Sequence, residues 1–260
     1  MLFSRFRFLL LLALAFAFVS PVFARKHDTG FLDRTLSLHG ATYKYQVFVP
    51  DNWSSNQKWP IILFLHGSGE RGADGLFQTE VGIATAIRKD RSRFPALVVL
   101  PQCLKDHDWD KPDMEELALA ALAAASKEFK GDPKRTYLTG LSMGGYGSWA
   151  LAAAYPHKFA AVVPICGGIL HPDESRKQPE SDRTPYLEAA KKIGTKLPLW
   201  VFHGDADPTV PVAESRLIVE ALKADGANVR YTEYPGVGHN SWDKAYAEPE
   251  FMTWLLSKSL

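Results

Sequence analysis

The sequence predicts a mostly parallel, doubly wound α/β sheet of about eight strands, with an N-terminal antiparallel hairpin at one edge. Three observations carry that prediction. Short, almost wholly apolar runs read as strands covered on both faces. Helical patterns lie between them, as right-handed crossovers require. An alternating pair of segments precedes both, which is how a half-buried hairpin reads.

Taken in order, Thr35–Leu38 and Tyr43–Val49 form the hairpin through Gly40, with Tyr43, Tyr45, Val47 and Val49 at alternate positions. The apolar runs follow at Ile61–Leu65, Ala96–Leu100, Tyr137–Thr139, Ala161–Ile165 and Leu199–Phe202. Val229–Tyr234 is mixed and belongs near the sheet edge. Helices are expected over Leu76–Lys89, Met114–Phe129, Met143–Tyr155, Ala213–Lys223 and Glu248–Lys258, the fourth stopped by Asp225-Gly226. Gly168–Leu197 is a sizeable insertion, rich in charge and proline, that would roof the sheet's carboxyl edge only in part. Ligands bind at that edge in such sheets.

Residues 1–24 read as an export signal: Arg5 and Arg7 precede an apolar run from Phe8 to Val19, and small residues at Val22 and Ala24 suit cleavage. The run is too short to span a bilayer, and no cysteine follows it to take a lipid anchor. The expectation is a periplasmic or secreted mature chain, residues 25–260, forming one domain without stable membrane insertion. Losing Arg5 and Arg7 leaves 28 basic side chains against 29 acidic, a net charge of −1 that favours neither nucleic acid nor a membrane surface. Cys103 and Cys166 follow strands expected to lie apart in the sheet, which favours two buried free thiols over the bridge that an oxidising compartment permits.

Gly140-Leu-Ser142-Met-Gly144 sits between an expected strand and an expected helix. A serine on so sharp a turn needs neighbours without bulk, and Gly140, Gly144 and Gly145 provide them. The helix beginning at Met143 also aims N–H groups and a positive dipole end at the serine. Asp207 lies in a loop stiffened by Pro208 and Pro211, where it can hold an imidazole by Nδ1–H; Asp205 competes for that role but reads as a loop cap. His239, in Gly236-Val-Gly-His-Asn240, lies in a flexible loop, and histidine as a residue type suits a general base. His66-Gly-Ser68 follows the first parallel strand, so the backbone N–H groups of Ser68 and Met143 are the expected oxyanion donors.

His66 and His203 read as packed, hydrogen-bonded structural residues, whereas His27, His39, His107, His157 and His171 read as solvated. Trp109 and Trp242 stand near site elements, where an indole would either pack an acyl group or fill the core. Lys105–Asp110 lacks metal-ligand spacing and reads as a solvated loop. Glu70 and Arg71 read either as a surface ion pair or as part of the site's rim. No metal or organic cofactor is called for.

These motifs resemble the single-domain α/β-hydrolase esterases related to the phospholipase/carboxylesterase and dienelactone-hydrolase families, and the catalytic domain of prolyl-oligopeptidase-type peptidases. The resemblance rests on Leu65-His-Gly-Ser-Gly-Glu-Arg-Gly72, Leu100-Pro-Gln-Cys103, Gly140-Leu-Ser-Met-Gly-Gly145, His203-Gly-Asp-Ala-Asp-Pro208 and Gly238-His-Asn-Ser-Trp242. It implies an α/β-hydrolase fold, a Ser142–His239–Asp207 triad and an oxyanion hole at Ser68 and Met143. Serine at the nucleophile departs from dienelactone hydrolases proper, where cysteine commonly stands. The implied activity is hydrolysis of a small-molecule or polysaccharide-linked carboxylic ester through an acyl-enzyme. A serine peptidase and a non-catalytic binding module on the same fold stay open, and the oligomeric state is not written in the residues.

Overall fold

Alternating faces of one buried strand explain the architecture. In β3 (Trp59–Leu65) every residue is buried; Ile61, Leu63 and Leu65 enter one hydrophobic core while Ile62 and Phe64 enter another on the opposite face. The computed structural model describes residues 28–171 and 182–260, so the expected export signal, His27 and part of the 168–197 insertion fall outside the described residues.

Eight strands form one sheet: β1 (Gly30–Leu38), β2 (Ala41–Val49), β3, β4 (Leu97–Pro101), β5 (Gly131–Leu141), β6 (Ala161–Ile165), β7 (Leu199–Gly204) and β8 (Val229–Tyr234), in the order β1-β2-β4-β3-β5-β6-β7-β8. The hairpin β1–β2 turns through His39 and Gly40, both at positive φ (50° and 80°), which matches the twist of a two-residue loop. β2 also runs antiparallel to β4, and the remaining pairs are parallel. On one face pack α2 (Pro112–Phe129), α3 (Met143–Ala154), α4 (Thr184–Ile193) and α5 (Val212–Ala224); on the other pack α1 (Ile83–Lys89), α6 (Trp242–Ala247) and α7 (Phe251–Leu256). None of the described helices is long and apolar enough to cross a membrane.

The connection from β3 to β4 moves one way along the sheet, and that from β4 to β5 crosses back over β3. The resulting switch point opens a crevice at the carboxyl ends of β3 and β5. Ser68 and Ser142 lie just past those two ends.

Four expectations need correction. Leu76–Lys89 is a 3-10 turn, Phe77–Thr79, and then α1, because Gly82 intervenes at φ 63° where a Cβ would lie 2.6 Å from Leu141 Cδ2. β5 begins at Gly131, several residues before its apolar run, since its first part pairs in the sheet while carrying exposed lysine. The helix expected over Glu248–Lys258 is shortened to α7, and α6 precedes it; Glu248 stands before Pro249 and takes extended angles (φ −53°, ψ 128°) that end α6. Inside the insertion, α4 forms where no helix was expected. Cys103 and Cys166 are both free and buried. Asp225-Gly226 does stop α5: Gly226 sits at φ 84°, and the N–H of Ala227 reaches back to Leu222 O at 2.9 Å.

Candidate active site

Ser142 occupies the turn between β5 and α3 with φ 52° and ψ −119°, a conformation costly for any residue with a side chain. Surrounding backbone enforces it: a Cβ on Gly144 would lie 2.0 Å from Leu65 O, and one on Gly140 would lie 2.2 Å from Gly144 O. The Ser142 N–H donates to Ile165 O of β6 at 3.0 Å, fastening the turn to the sheet.

His239, on the loop after β8, bridges the other two groups. Its Nδ1 lies 2.7 Å from Asp207 Oδ2 and its Nε2 lies 2.9 Å from Ser142 Oγ. Burial alone would raise the Asp207 carboxyl, but hydrogen bonds from His203, His239 and the N–H groups of Val210 and Thr209 outweigh it and hold the group well below the usual carboxylate range. An ionised carboxylate only accepts, so Nδ1 carries the proton and Nε2 is left to accept from the Ser142 hydroxyl. Asp205 instead accepts the Gly236 N–H at 2.6 Å and caps the neighbouring loop.

Ser68 and Met143 line the same cleft as Ser142. Each is the first residue of its helical turn, where the backbone N–H has no partner within the helix. Buried His66 holds the Ser68 loop: its Nε2 accepts the Cys103 N–H at 2.9 Å, so Nδ1 donates to Gly67 O at 2.6 Å. Burial pushes the His66 imidazole down to about 4.

The two tryptophans are placed differently from each other. Trp109 is 1% exposed, donates its indole N–H to His66 O at 3.0 Å and lines the cleft. Trp242 opens α6 and packs edge-on against the His239 ring, with centroids 5.4 Å apart, and is not among the cleft-lining residues.

The cleft encloses about 280 Å³ and mixes polar with apolar walls. Arg71 contributes to it, paired with Asp108 and donating Nε–H to His107 O at 2.5 Å, rather than pairing with Glu70. That tether makes Asp108, Trp109 and Asp110 a wall of the cleft, where the sequence suggested a solvated loop. His171, exposed as expected, also lines it.

Sequence reasoning missed Glu214. Its Oε2 accepts the N–H groups of Ile169 and Leu170 at 2.8 and 3.2 Å, and its Oε1 accepts the Tyr186 hydroxyl at 2.6 Å, clamping the insertion's start onto α5 as a cleft wall. The signal was present: Glu214 stands four residues before Ile218 on the helix's buried stripe.

Among the described residues, ligating atoms of Cys166, Asp207 and His239 lie within 4.8 Å of one another. Burial pushes the Cys166 thiol up to about 12, which makes it a poor ligand, and Asp207 and His239 already bond each other, so that pair suits proton transfer better than a resident metal.

A family model described as "Putative esterase" matches residues 37–248. Probable feruloyl esterase C of Aspergillus flavus is 26% identical over 205 residues, covering 76% of this chain and 67% of that protein. An uncharacterized secreted protein of Arthroderma benhamiae is 26% identical over 244 residues, covering 84% of this chain and 26% of its own length. The crystal structure of a thermostable esterase superimposes with a TM-score of 0.75 at 32% identity, covering 88% of this chain and 63% of that one. The chain therefore spans less than two thirds of the last two proteins.

Proposed function

The chain belongs to the esterase family matched over residues 37–248, and from that premise we propose that it hydrolyses carboxylic esters through an acyl-enzyme on Ser142. One observation carries this reading: Ser142 Oγ, His239 and Asp207 form a continuous hydrogen-bonded chain, at 2.9 and 2.7 Å, beside an open cleft.

In the proposed mechanism His239 Nε2 takes the hydroxyl proton as Ser142 Oγ attacks the ester carbonyl. The N–H groups of Ser68 and Met143 stabilise the resulting oxyanion, each such donor typically contributing about 3 to 4 kcal/mol. Asp207, ionised and immobilised by its donors, fixes the tautomer of His239 and stabilises the imidazolium. The imidazolium then protonates the leaving alcohol, and a water activated by the same nitrogen releases the acid.

A cleft whose described walls mix polar with apolar groups suits esters carried on an exposed scaffold, such as acyl or feruloyl groups on polysaccharide side chains. The feruloyl esterase relative supports that choice. Export of the mature chain is part of the same proposal and rests on residues 1–24; a relative described as secreted agrees with it. The test is turnover of acetyl, butyryl and feruloyl esters alongside aminoacyl amides. Ester turnover that disappears in Ser142→Ala supports the reading, and a preference for the amides overturns it.

A second reading, an aminopeptidase with the same triad, draws on Asp110 in the cleft wall as a partner for a substrate ammonium. Asp108 beside it is paired with Arg71, and Asp110 itself lies 3.6 Å from Lys111 Nζ, an exposed pair that a substrate ammonium would displace. Strong turnover of aminoacyl amides, abolished in Asp110→Asn, would favour that reading.

A further inference from the structure

We propose that His203 is a positioning residue for this relay, a second imidazole whose Nε2–H holds the Asp207 carboxylate and shares its Oδ2 with His239. The inference rests on the reading of Ser142, His239 and Asp207 given above.

His203 is the penultimate residue of β7 and is wholly buried. Its Nδ1 lies 2.7 Å from the Ser215 hydroxyl of α5, while its Nε2 lies 3.1 Å from Val210 O and 3.2 Å from Asp207 Oδ2. Two acceptors face Nε2, so that nitrogen carries a proton and donates; the Ser215 hydroxyl donates to Nδ1. Asp207 Oδ2 thus lies against two protonated imidazole nitrogens, at 2.7 Å from His239 Nδ1 and 3.2 Å from His203 Nε2, whose N–H donates to Val210 O at 3.1 Å. Oδ1 receives the N–H groups of Thr209 and Val210 at 2.8 and 3.0 Å.

Other ionisable groups near this centre are otherwise engaged. Glu233 stands in register with His203 on β8 but is gripped by Arg216 at 2.6 Å. Glu214, beside Ser215, turns toward Tyr186, Ile169 and Leu170. Cys166 and Tyr146 are near Asp207, and burial holds both in their neutral forms.

Two donors on one oxygen compete. With the His203 N–H beside it, Oδ2 bonds His239 less strongly than it would alone, which leaves the imidazole freer to return its proton. Without it, the carboxylate binds the imidazolium more tightly and is also freer to turn. A residue that merely filled space would lower activity equally at every pH.

The experiment compares pH profiles of kcat/KM for the full-length mature protein and two variants. His203→Asn ends near the Nδ1 position and cannot reach Oδ2, whereas His203→Gln carries an amide N–H about as far as Nε2. The Asn variant should move the acid limb up by about half to one pH unit and lower kcat about fivefold or more. The Gln variant should return the limb toward that of the parent. An unmoved limb in the Asn variant, or equal displacement in both, overturns the inference.

A measurement on the parent guards against variants that do not fold. Long-range 1H–15N spectra should find the His203 proton on Nε2, and that signal should move when a fluorophosphonate occupies Ser142. A proton on Nδ1, or a signal indifferent to the adduct, also overturns it. Ser142→Ala run in the same assay separates the two readings: retained turnover refutes the relay and this inference with it, whereas an inert Ser142→Ala beside an unmoved His203→Asn limb refutes the inference alone.

Discussion

Acidification from about pH 7 to about pH 5 should destabilise the fold chiefly through His66. Its imidazole titrates near about 4 in the folded chain because it is buried, against about 6.5 when unfolded. The unfolded state therefore takes the proton first, so stability falls as pH drops through the unfolded value and stops falling below the folded one. Over that interval the linkage integral gives a loss of about 2 kcal/mol, and about 3 kcal/mol once both states are protonated. Asp207, held low, contributes its own loss only below the ordinary carboxylate range. Glu70, raised by burial, acts in the opposite sense. Urea titrations followed by tryptophan fluorescence suit the measurement, since Trp109 packs edge-on against His66 at 5.1 Å. His66→Gln keeps an oxygen for the Cys103 N–H, removes the titration and leaves Glu70 in place. It should be less stable at neutral pH yet nearly flat across this interval. A parent whose midpoint does not change with pH, or a variant that falls as steeply, refutes the reasoning. Catalysis is exposed to the same event, because His66 ties down the loop that carries Ser68.

Three further outcomes follow from the geometry. Asp207→Asn would face His239 Nδ1–H with an amide N–H2 and should lower kcat/KM by about 10⁴-fold; a loss under about tenfold in steady-state assays would contradict the assigned role. Gly144→Ala puts a methyl group 2.0 Å from Leu65 O, so the end of β3 must move; the expected result is a large drop in Tm or loss of folded protein by circular dichroism, and a melt within about 2 °C of the parent would refute the close approach. Cys103 and Cys166 are buried with thiols pushed up to about 12, so a disulfide-exchange reagent should leave both untouched in native protein and titrate both after denaturation; rapid native labelling would contradict this.

The parallel strands were legible because burial on both faces leaves no polar positions to confuse the pattern, as β3 and β4 illustrate. The region after β3 was misread because Leu76 and Phe77, which seemed to begin a helical stripe, are 56% and 53% exposed. α4 does carry a stripe at Tyr186, Ala190 and Ile193, but lysines and prolines around it masked the period. The convergence of Ser142, Asp207 and His239 was legible because each lies in a local motif whose constraint is backbone geometry. The cleft walls could not. Arg71 meets Asp108 across 37 positions, and Glu214 meets Ile169 across 45. His203 could be read as buried, but its contact with Asp207 depends on the path of the 205–210 loop, which no spacing rule predicts.

The most direct test of the relay is intact-mass analysis after treating the mature protein with a fluorophosphonate. One adduct per chain, mapped to the peptide bearing Ser142, should form with parallel loss of ester hydrolysis, and Ser142→Ala should take up none while losing about a millionfold in kcat. Full labelling at another residue, or undiminished turnover with Ser142 occupied, would contradict the account.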